Sequence, residues 1–301
     1  MATMKTLNGY GFNATEFNGK TSDNYLKKTD TASNSKKLGG KAPEYYIQPR
    51  NLLDNSDFGI AQAEYGRKHG STIYAADRWM QNDTTARTYS YVTKNGHGAL
   101  KCTSVTRIQQ KLELVSGVAY TAAVYINDTL YIRTFTANGG EYGSGALWVN
   151  HQSDGTYIFI VSDIPSGGTV SEPVLYEGTY TADTLPPYVP KGYAAELAEC
   201  KRYFELLNNG SSQFVRAYNS STIAFAINYA EKRIGPTISV TGSLTKALNV
   251  AGVGTNTPTS ISSAYPVGLK NARINAAGTF DTSYTYGIDY NVVKLEINAD
   301  L

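Results

Sequence analysis

The chain reads AYTAAVYI from Ala119 to Ile126, then Asn127-Asp128, then TLYIRTFT from Thr129 to Thr136. Both runs are rich in β-branched and aromatic residues, which favour β-strands. A two-residue connection of Asn and Asp between such runs is typical of a tight hairpin. The stretch therefore predicts an antiparallel hairpin within a β-rich fold.

The same pattern of short β-rich runs and turn dipeptides continues on both sides of this hairpin. The further runs are YSYVT (Tyr89–Thr93) before Asn95-Gly96, and ALWVN (Ala146–Asn150) and TYIFIV (Thr156–Val161) on either side of Asp154-Gly155. Strands at this spacing, with no helices between them, indicate an antiparallel sandwich. The extended, proline-rich stretch Leu185–Pro190 marks the exit, so we assign residues 51–192 to this domain.

A helix and a second set of strands follow. AAELAECKRYFELL (Ala194–Leu207) carries apolar residues at three- and four-residue steps, which predicts a helix that stops at Asn208-Asn209-Gly210. The later strand patterns are FVRAY (Phe214–Tyr218), TIAFAINY (Thr222–Tyr229), PTISV (Pro236–Val240), ARINA (Ala272–Ala276) and VVKLEIN (Val292–Asn298). Residues 242–266 are rich in Ser, Thr, Gly and Asn, which predicts a loop with one edge strand. We expect a second, smaller sandwich over residues 193–301.

The first 50 residues contain a polar repeat. FNGKTSDNYL (Phe17–Leu26) recurs 21 residues later as LGGKAPEYYI (Leu38–Ile47). Two copies are too few to bury an apolar face within one chain, so the repeat predicts self-association of an extended stalk or attachment segment. The apolar residues expected to mediate oligomerisation or attachment are Leu7, Phe17, Tyr25, Leu26, Leu38, Tyr46 and Ile47.

Composition restricts the function. A formal net charge of +2 argues against nucleic acid as the main partner. The N-terminus lacks the apolar core of a signal peptide and no apolar run is long enough to span a bilayer, so we expect synthesis in the cytoplasm and no membrane insertion. Cys102 and Cys200 could pair in an exported protein, but two buried free thiols are the main prediction.

The sequence contains no pattern typical of an enzyme. His69, His97 and His151 are scattered without metal-binding spacing, and no nucleotide-binding or nucleophile motif occurs. We therefore expect no catalysis, no metal and no cofactor. The alternative is a glycan depolymerase with paired carboxylates, and its candidate pairs are Asp54 with Asp57 and Glu172 with Glu177.

Aromatic residues suggest a binding surface instead, because sugar rings stack on exposed aromatic rings. Trp148, with Tyr142 and His151 nearby in sequence, could form a platform at the rim of the first domain, or Trp148 could fill the core. Trp79 is expected in the core, with Arg78 paired to a carboxylate.

The second domain offers a similar choice. SYTYGIDY (Ser283–Tyr290) places Tyr284, Tyr286 and Tyr290 on one face of a strand. With Asp289 they form either a solvated aromatic surface or part of the core. Tyr218 and Asn219, at the end of another strand, belong to the same hypothesis.

The N-terminal repeats FNGKTSDNYL (Phe17–Leu26) and LGGKAPEYYI (Leu38–Ile47) are similar to the polar repeats of phage tail fibres. NLLDNSDFGIAQ (Asn51–Gln62), AADRWM (Ala75–Met80) and KLELVSGVAYTAAVYI (Lys111–Ile126) resemble a carbohydrate-binding-like jelly roll, and ELAECKRYFELL (Glu196–Leu207) and AEKRIGPTISV (Ala230–Val240) resemble a terminal fibre domain.

The resemblance implies a receptor-binding tail fibre, normally a homotrimer, on the virion tail. Its partners would be other tail or baseplate proteins, through residues 1–50, and host surface polysaccharide. Linked weak sites would give firm adhesion through effective concentration. The alternatives are a structural baseplate or tail component that binds no glycan, and the depolymerase.

Overall fold

The structure is a computed structural model that describes residues 16–17, 20–21, 49–207, 213–241, 246–249, 255–256, 260–280, 282, 285–289 and 294–299. The chain divides into two compact units, one of residues 1–49 with 181–187 and one of residues 50–180 with 188–301. In the first unit, strand β1 (Glu16–Phe17) pairs antiparallel with β2 (Lys20–Thr21), with Phe17 opposite Lys20. The other predicted attachment residues lie outside the described residues, so their role stays a prediction.

The second unit begins with a β-sandwich. Its strands are β3 (Arg67–His69), β4 (Thr72–Ala76), β5 (Trp79–Gln81), β6 (Tyr89–Lys94), β7 (His97–Cys102), β8 (Thr106–Leu112), β9 (Ala119–Ile126), β10 (Thr129–Thr136), β11 (Glu141–Ser144), β12 (Leu147–His151), β13 (Tyr157–Ile164) and β14 (Thr169–Glu177). They form a five-stranded sheet in the order β10-β9-β14-β7-β6 and a seven-stranded sheet in the order β11-β12-β13-β8-β5-β4-β3. Every strand pairing in these two sheets is antiparallel, as the sequence predicts.

The predicted hairpin is confirmed residue by residue. Strands β9 and β10 pair from Ile126 opposite Thr129 to Ala119 opposite Thr136. Asn127 has a φ of 55°, a left-handed conformation that asparagine tolerates better than most residues.

The core lies between the two sheets, and Trp79 is one of its fully buried residues. The Trp79 ring is fully buried, 5.0 Å from the Phe58 ring and 6.0 Å from the Phe159 ring, measured between centroids. Its indole N–H donates to the backbone carbonyl of Asn55 at 2.9 Å, so the burial leaves no unpaired donor. The prediction that Trp79 is a core residue is confirmed.

Two other sequence predictions are confirmed here. Arg78 is buried, and its Nε donates to Asp54 at 3.1 Å, while its guanidinium carbon lies 3.4 Å from the centroid of the Tyr203 ring. Cys102 and Cys200 are both buried free thiols.

The rest of this unit is helix α1 and a second group of strands. The elements are α1 (Tyr193–Lys201), β15 (Phe204–Leu207), β16 (Gln213–Asn219), β17 (Thr222–Asn228), β18 (Thr237–Thr241), β19 (Lys246–Asn249), β20 (Thr255–Asn256), β21 (Ser260–Pro266), β22 (Asn271–Ala277), β23 (Thr285–Asp289) and β24 (Lys294–Asn298). Three strands pair in the order β15-β24-β18, and seven in the order β20-β19-β23-β16-β17-β22-β21. The described residues therefore form a mainly β protein with several antiparallel sheets and one helix, as predicted.

The predicted helix is too long. Helix α1 ends at Lys201, and Phe204–Leu207 is a strand whose residues pair with β24, from Phe204 opposite Asn298 to Leu207 opposite Leu295. The apolar run that suggested a continued helix also fits a buried strand, and the backbone pairing with a distant segment decides between them.

The prediction of one edge strand within residues 242–266 is also wrong. The described part of that stretch contains β19, β20 and β21, and β20 and β21 form the two edges of the seven-stranded terminal sheet. These strands have weak strand patterns in sequence, and backbone pairing holds them in the sheet: β20 pairs with β19, β19 with β23, and β21 with β22.

Candidate functional site

The outer face of the terminal seven-stranded sheet carries small side chains at its middle. Along β17, Ile223, Phe225 and Ile227 are buried in the core, so Ala224 and Ala226 face the other way. Successive side chains of a strand alternate between the two faces of the sheet. Two methyl groups cover little of the backbone, and a depression forms above them.

We call this depression the terminal trough. Its volume is about 490 Å³, and it is lined by Ala224, Phe225, Ala226, Asn228, Val267, Asn271, Ala272 and Arg273. Small-molecule sites in proteins typically measure roughly 300–1,000 Å³. The trough therefore has room for a ligand of a few rings, and both apolar and amide side chains line it.

Arg273 forms one side of the trough and reaches across the sheet. Strand β22 places it directly opposite Ala226. Its Nε donates to Asn275 Oδ1 at 3.0 Å, and the Asn275 amide donates in turn to Ser263 Oγ at 2.8 Å. This chain of hydrogen bonds fixes the plane of the guanidinium.

Tyr218 lies at the margin of the same face, at the end of β16. The guanidinium carbon of Arg273 is 4.9 Å from the centroid of the Tyr218 ring, within the range of a cation–π contact. Tyr218 is nevertheless 68% exposed. The arginine therefore contacts an aromatic ring that is still largely exposed to solvent. Ligand binding by Tyr218 stays a prediction.

The turn between β21 and β22 forms the other wall. Val267 is 66% exposed, and Tyr265 and Leu269 are exposed beside it. The Tyr229 hydroxyl lies 2.8 Å from the carbonyl oxygens of Gly268 and of Asn271, at the two ends of the turn. Burial raises the pKa of Tyr229 above its ordinary value, and the hydroxyl is a donor at neutral pH with or without this shift. The turn is thus braced from below.

Charge on this face is one-sided among the side chains that the structure describes. Arg216 and Arg273 are cations, and no carboxylate lines the trough. Glu231 is the described acidic residue closest in sequence to the residues that line the trough, and its carboxylate pairs with Lys270 at 3.0 Å. The trough consequently carries a local positive charge although the whole chain is almost neutral.

Trp148 lies on a second surface, the outer face of the seven-stranded sandwich sheet. Register places it between Gly143 of β11 and Ile160 of β13, and it is partly exposed. The guanidinium carbon of Arg107 is 4.9 Å from its ring centroid. The alternative that Trp148 fills the core is therefore wrong, while sugar binding there stays a prediction.

Tyr142 and His151 do not form a joint platform with Trp148. In β11, Tyr142 is opposite Val149, on the face that packs against the core, and its ring stacks on Phe135 at 4.6 Å. Its hydroxyl donates to Asn138 Oδ1 and accepts from the backbone N–H groups of Asn138 and Gly140. His151 packs edge-on against Tyr157.

The structure tests only part of the predicted tyrosine face of Ser283–Tyr290. Tyr286 is 1% exposed and packs edge-on against Phe280 at 5.4 Å, so it belongs to the core. Asp289 is the last residue of β23, and the structure describes its backbone but not its side chain. Tyr284 and Tyr290 lie outside the described residues. A solvated surface including Tyr286 is therefore excluded.

Asp54 and Asp57, the first candidate catalytic pair, both form contacts that stabilise the fold. Asp54 pairs with Arg78, as above, and lies 3.7 Å from Lys191, while Asp57 accepts from the backbone N–H of Gly98 at 2.5 Å. Both carboxylates therefore brace the sandwich.

The second pair lies along β14, where a bulge places Glu172 at a φ of 52°. Burial raises the pKa of Glu172, and the nearby His97 opposes this shift. Glu177 is exposed at the end of the strand.

Among the described residues, no three His, Cys, Asp or Glu side chains form a group that could hold a metal ion.

No protein-family model matches the chain, and no curated protein matches it. No helix in the described part of the chain is long and apolar enough to cross a membrane.

The sequence analysis named Tyr218 as a candidate ligand-binding residue but missed Arg273, Ala224 and Ala226. The alternation of alanine with large apolar residues in TIAFAIN was the available signal for a sheet with a bare outer face.

Proposed function

We propose that the chain is a phage tail fibre or receptor-binding protein that adheres to host surface glycan through the terminal trough. The observation that carries this proposal is the exposed Tyr218 ring held against Arg273 beside a trough with a floor of alanines. The tail-fibre part rests on the sequence resemblance alone.

The trough has the two features that sugar recognition requires. An exposed aromatic ring offers a surface for the apolar C–H face of a sugar ring. Asn228, Asn271 and Arg273 supply side-chain donors and acceptors for hydroxyl groups. Because the trough is an open depression, each site would bind weakly.

Weak sites give firm adhesion when they are linked. In the proposed homotrimer, residues 1–50 would attach the fibre to other tail or baseplate proteins and bring three troughs together on one particle. The second contact then forms at an effective concentration of millimolar order for short linkers. Such a protein needs no catalysis, and the structural contacts of Asp54 and Asp57 favour a non-enzymatic role.

The test is retention of the labelled full chain on an array of purified bacterial capsular, O-chain and teichoic polysaccharides. Tyr218→Ala should weaken binding about fivefold, since an aromatic contact contributes about 1 kcal/mol. Tyr193→Ala is a matched control, because Tyr193 is 67% exposed against 68% for Tyr218. Binding to no polysaccharide contradicts glycan adhesion, and full binding by Tyr218→Ala contradicts the trough as the site.

A structural tail component is the second candidate, and the exposed turn of Val267 and Leu269 favours it. Apolar side chains in one solvent-exposed turn are typical of a protein contact. Particles that carry Val267→Ser with Leu269→Ser should assemble normally if the trough serves adhesion alone. A failure to assemble, with the isolated chain still folded, would favour the structural role.

A further inference from the structure

We propose that the terminal trough selects a sugar residue that carries a negative charge, a carboxylate or a phosphate, and that Arg273 is the group that recognises it. This inference rests on the proposed function and adds the chemical class of the ligand. It follows from the orientation of Arg273, from the charge of the face and from the small residue opposite it.

The first argument is the orientation of Arg273. Its Nε is engaged by Asn275 and one face of its guanidinium packs on Tyr218. Among the described residues only its Nε has a hydrogen-bond partner, which leaves the two terminal nitrogens available, and Arg273 is only partly buried. They form a fixed pair of donors, and such a pair matches the two oxygens of a carboxylate or a phosphate.

The second argument is electrostatic. A neutral sugar needs no cation, whereas a carboxylate or a phosphate forms charge-assisted hydrogen bonds with a guanidinium. Arg273 has none among the described side chains of this face, and Arg216 adds a second exposed cation whose Nε donates to the carbonyl oxygen of Thr282. An anion bound beside Tyr218 would complete the charge balance.

The third argument provides the experiment. Ala226 is exposed and lies opposite Arg273 in the register, so a longer side chain at this position meets the guanidinium without entering the core. Ala226→Glu would place a carboxylate against Arg273 and repel an anionic ligand. Ala226→Gln adds nearly the same volume without the charge, which makes it the matched control.

The probe is the array of purified bacterial polysaccharides, followed by chemical editing of those that bind. Carboxyl groups are reduced to alcohols in one portion, and phosphates are removed in another. We expect binding to the native polymer, at least a tenfold loss after one of the two treatments, and the same loss with Ala226→Glu but not with Ala226→Gln. The treatment that abolishes binding identifies the source of the charge.

The other outcomes overturn the inference in distinguishable ways. Equal binding to native and edited polymers shows a neutral ligand and leaves glycan adhesion intact. Equal losses of binding with Ala226→Glu and Ala226→Gln show that the size of the side chain, and not a charge placed beside Arg273, weakens binding. This result overturns the role of Arg273. Binding to no polymer, with both variants folded by circular dichroism, overturns the inference together with the proposed function, and a concentration-dependent dimer through this face would then identify a second copy of the chain as the occupant.

Discussion

Arg273 and Tyr218 are in contact although strand β17 lies between the strands that carry them. The guanidinium carbon is 4.9 Å from the centroid of the tyrosine ring. The contact is possible because β17 presents only the methyl groups of Ala224 and Ala226 on that face. An aromatic ring in place of Ala224 would separate the pair and fill the trough, so the small side chains of β17 are as important to the site as the two residues above them.

Arg273→Lys tests whether the planar cation matters beyond its charge. Lysine keeps the positive charge but loses the hydrogen bond to Asn275 and most of the packing on Tyr218. We expect polysaccharide binding to fall about tenfold and the free energy of unfolding to change by less than about 1 kcal/mol. Arg202→Lys, at an exposed position after helix α1, is the control. Unchanged affinity in Arg273→Lys would show that charge alone is sufficient.

The two tryptophans should differ in access to solvent. Trp79 is fully buried and Trp148 is partly exposed on the outer face of its sheet. Iodide should therefore quench only part of the fluorescence, and Trp148→Phe should remove the quenchable part. If iodide quenches Trp148→Phe as strongly as the unmodified chain, the placement of one of the two rings is incorrect.

The same residues should differ in their contribution to stability. Trp79→Ala leaves a cavity beside Phe58 and Phe159, and removal of a buried Trp typically costs about 3–5 kcal/mol. Trp148→Ala removes a ring that is partly solvated and whose buried indole nitrogen has no hydrogen-bond partner among the described groups. Its cost should be clearly smaller. Urea unfolding of both variants measures the difference, and equal costs would contradict the assignment.

Stability should depend on pH through Glu196 of helix α1. This side chain is buried and accepts hydrogen bonds from the Asn55 backbone N–H and from Ser56 Oγ. Burial raises the pKa of Glu196 above its usual value of 4.5, although the bond from Asn55 opposes the shift. A raised pKa in the folded state means that this contribution to stability is present below pH 4.5 and is lost as the pH rises through the folded-state pKa.

Glu196→Gln removes this titration, because an amide does not ionise. We expect the free energy of unfolding of the natural chain, relative to Glu196→Gln, to decrease as the pH rises above about 4.5. Glu64→Gln, at an exposed position, should follow the natural chain. Parallel curves for the natural chain and Glu196→Gln would contradict a raised pKa.

The two thiols should be unreactive until the protein unfolds. Burial raises the pKa of Cys102 to about 12 and that of Cys200 further still, so little thiolate exists at neutral pH. Ellman's reagent should label neither thiol in the native protein and both thiols in urea. Rapid labelling of the native chain would show that one of these sites opens.

The accuracy of the sequence analysis depends on how local each interaction is. The β9–β10 hairpin was predicted to the residue because Asn127-Asp128 and the flanking patterns lie within one stretch. The end of helix α1 was wrong because the pairing of Phe204–Leu207 with β24 involves a distant part of the chain.

The candidate site was predictable only in part for the same reason. An exposed tyrosine at a strand end can be proposed from sequence, and Tyr218 was. The contact of Arg273 with Tyr218 depends on which strands are neighbours in the sheet. The alanine floor of the trough depends on which residues of β17 face outward. Neither property is contained in a single segment.

Hydroxyl-radical footprinting of the full chain, with and without a polysaccharide that it retains, tests the central claim most directly. The method measures the solvent access of individual aromatic side chains. Protection of Tyr218 and Tyr265, with Tyr193 unchanged, is the predicted result, because the first two lie on the face of the trough and the third is exposed on helix α1. Protection confined to Trp148, or unchanged oxidation of Tyr218 at saturation, would contradict the terminal trough as the receptor-binding site.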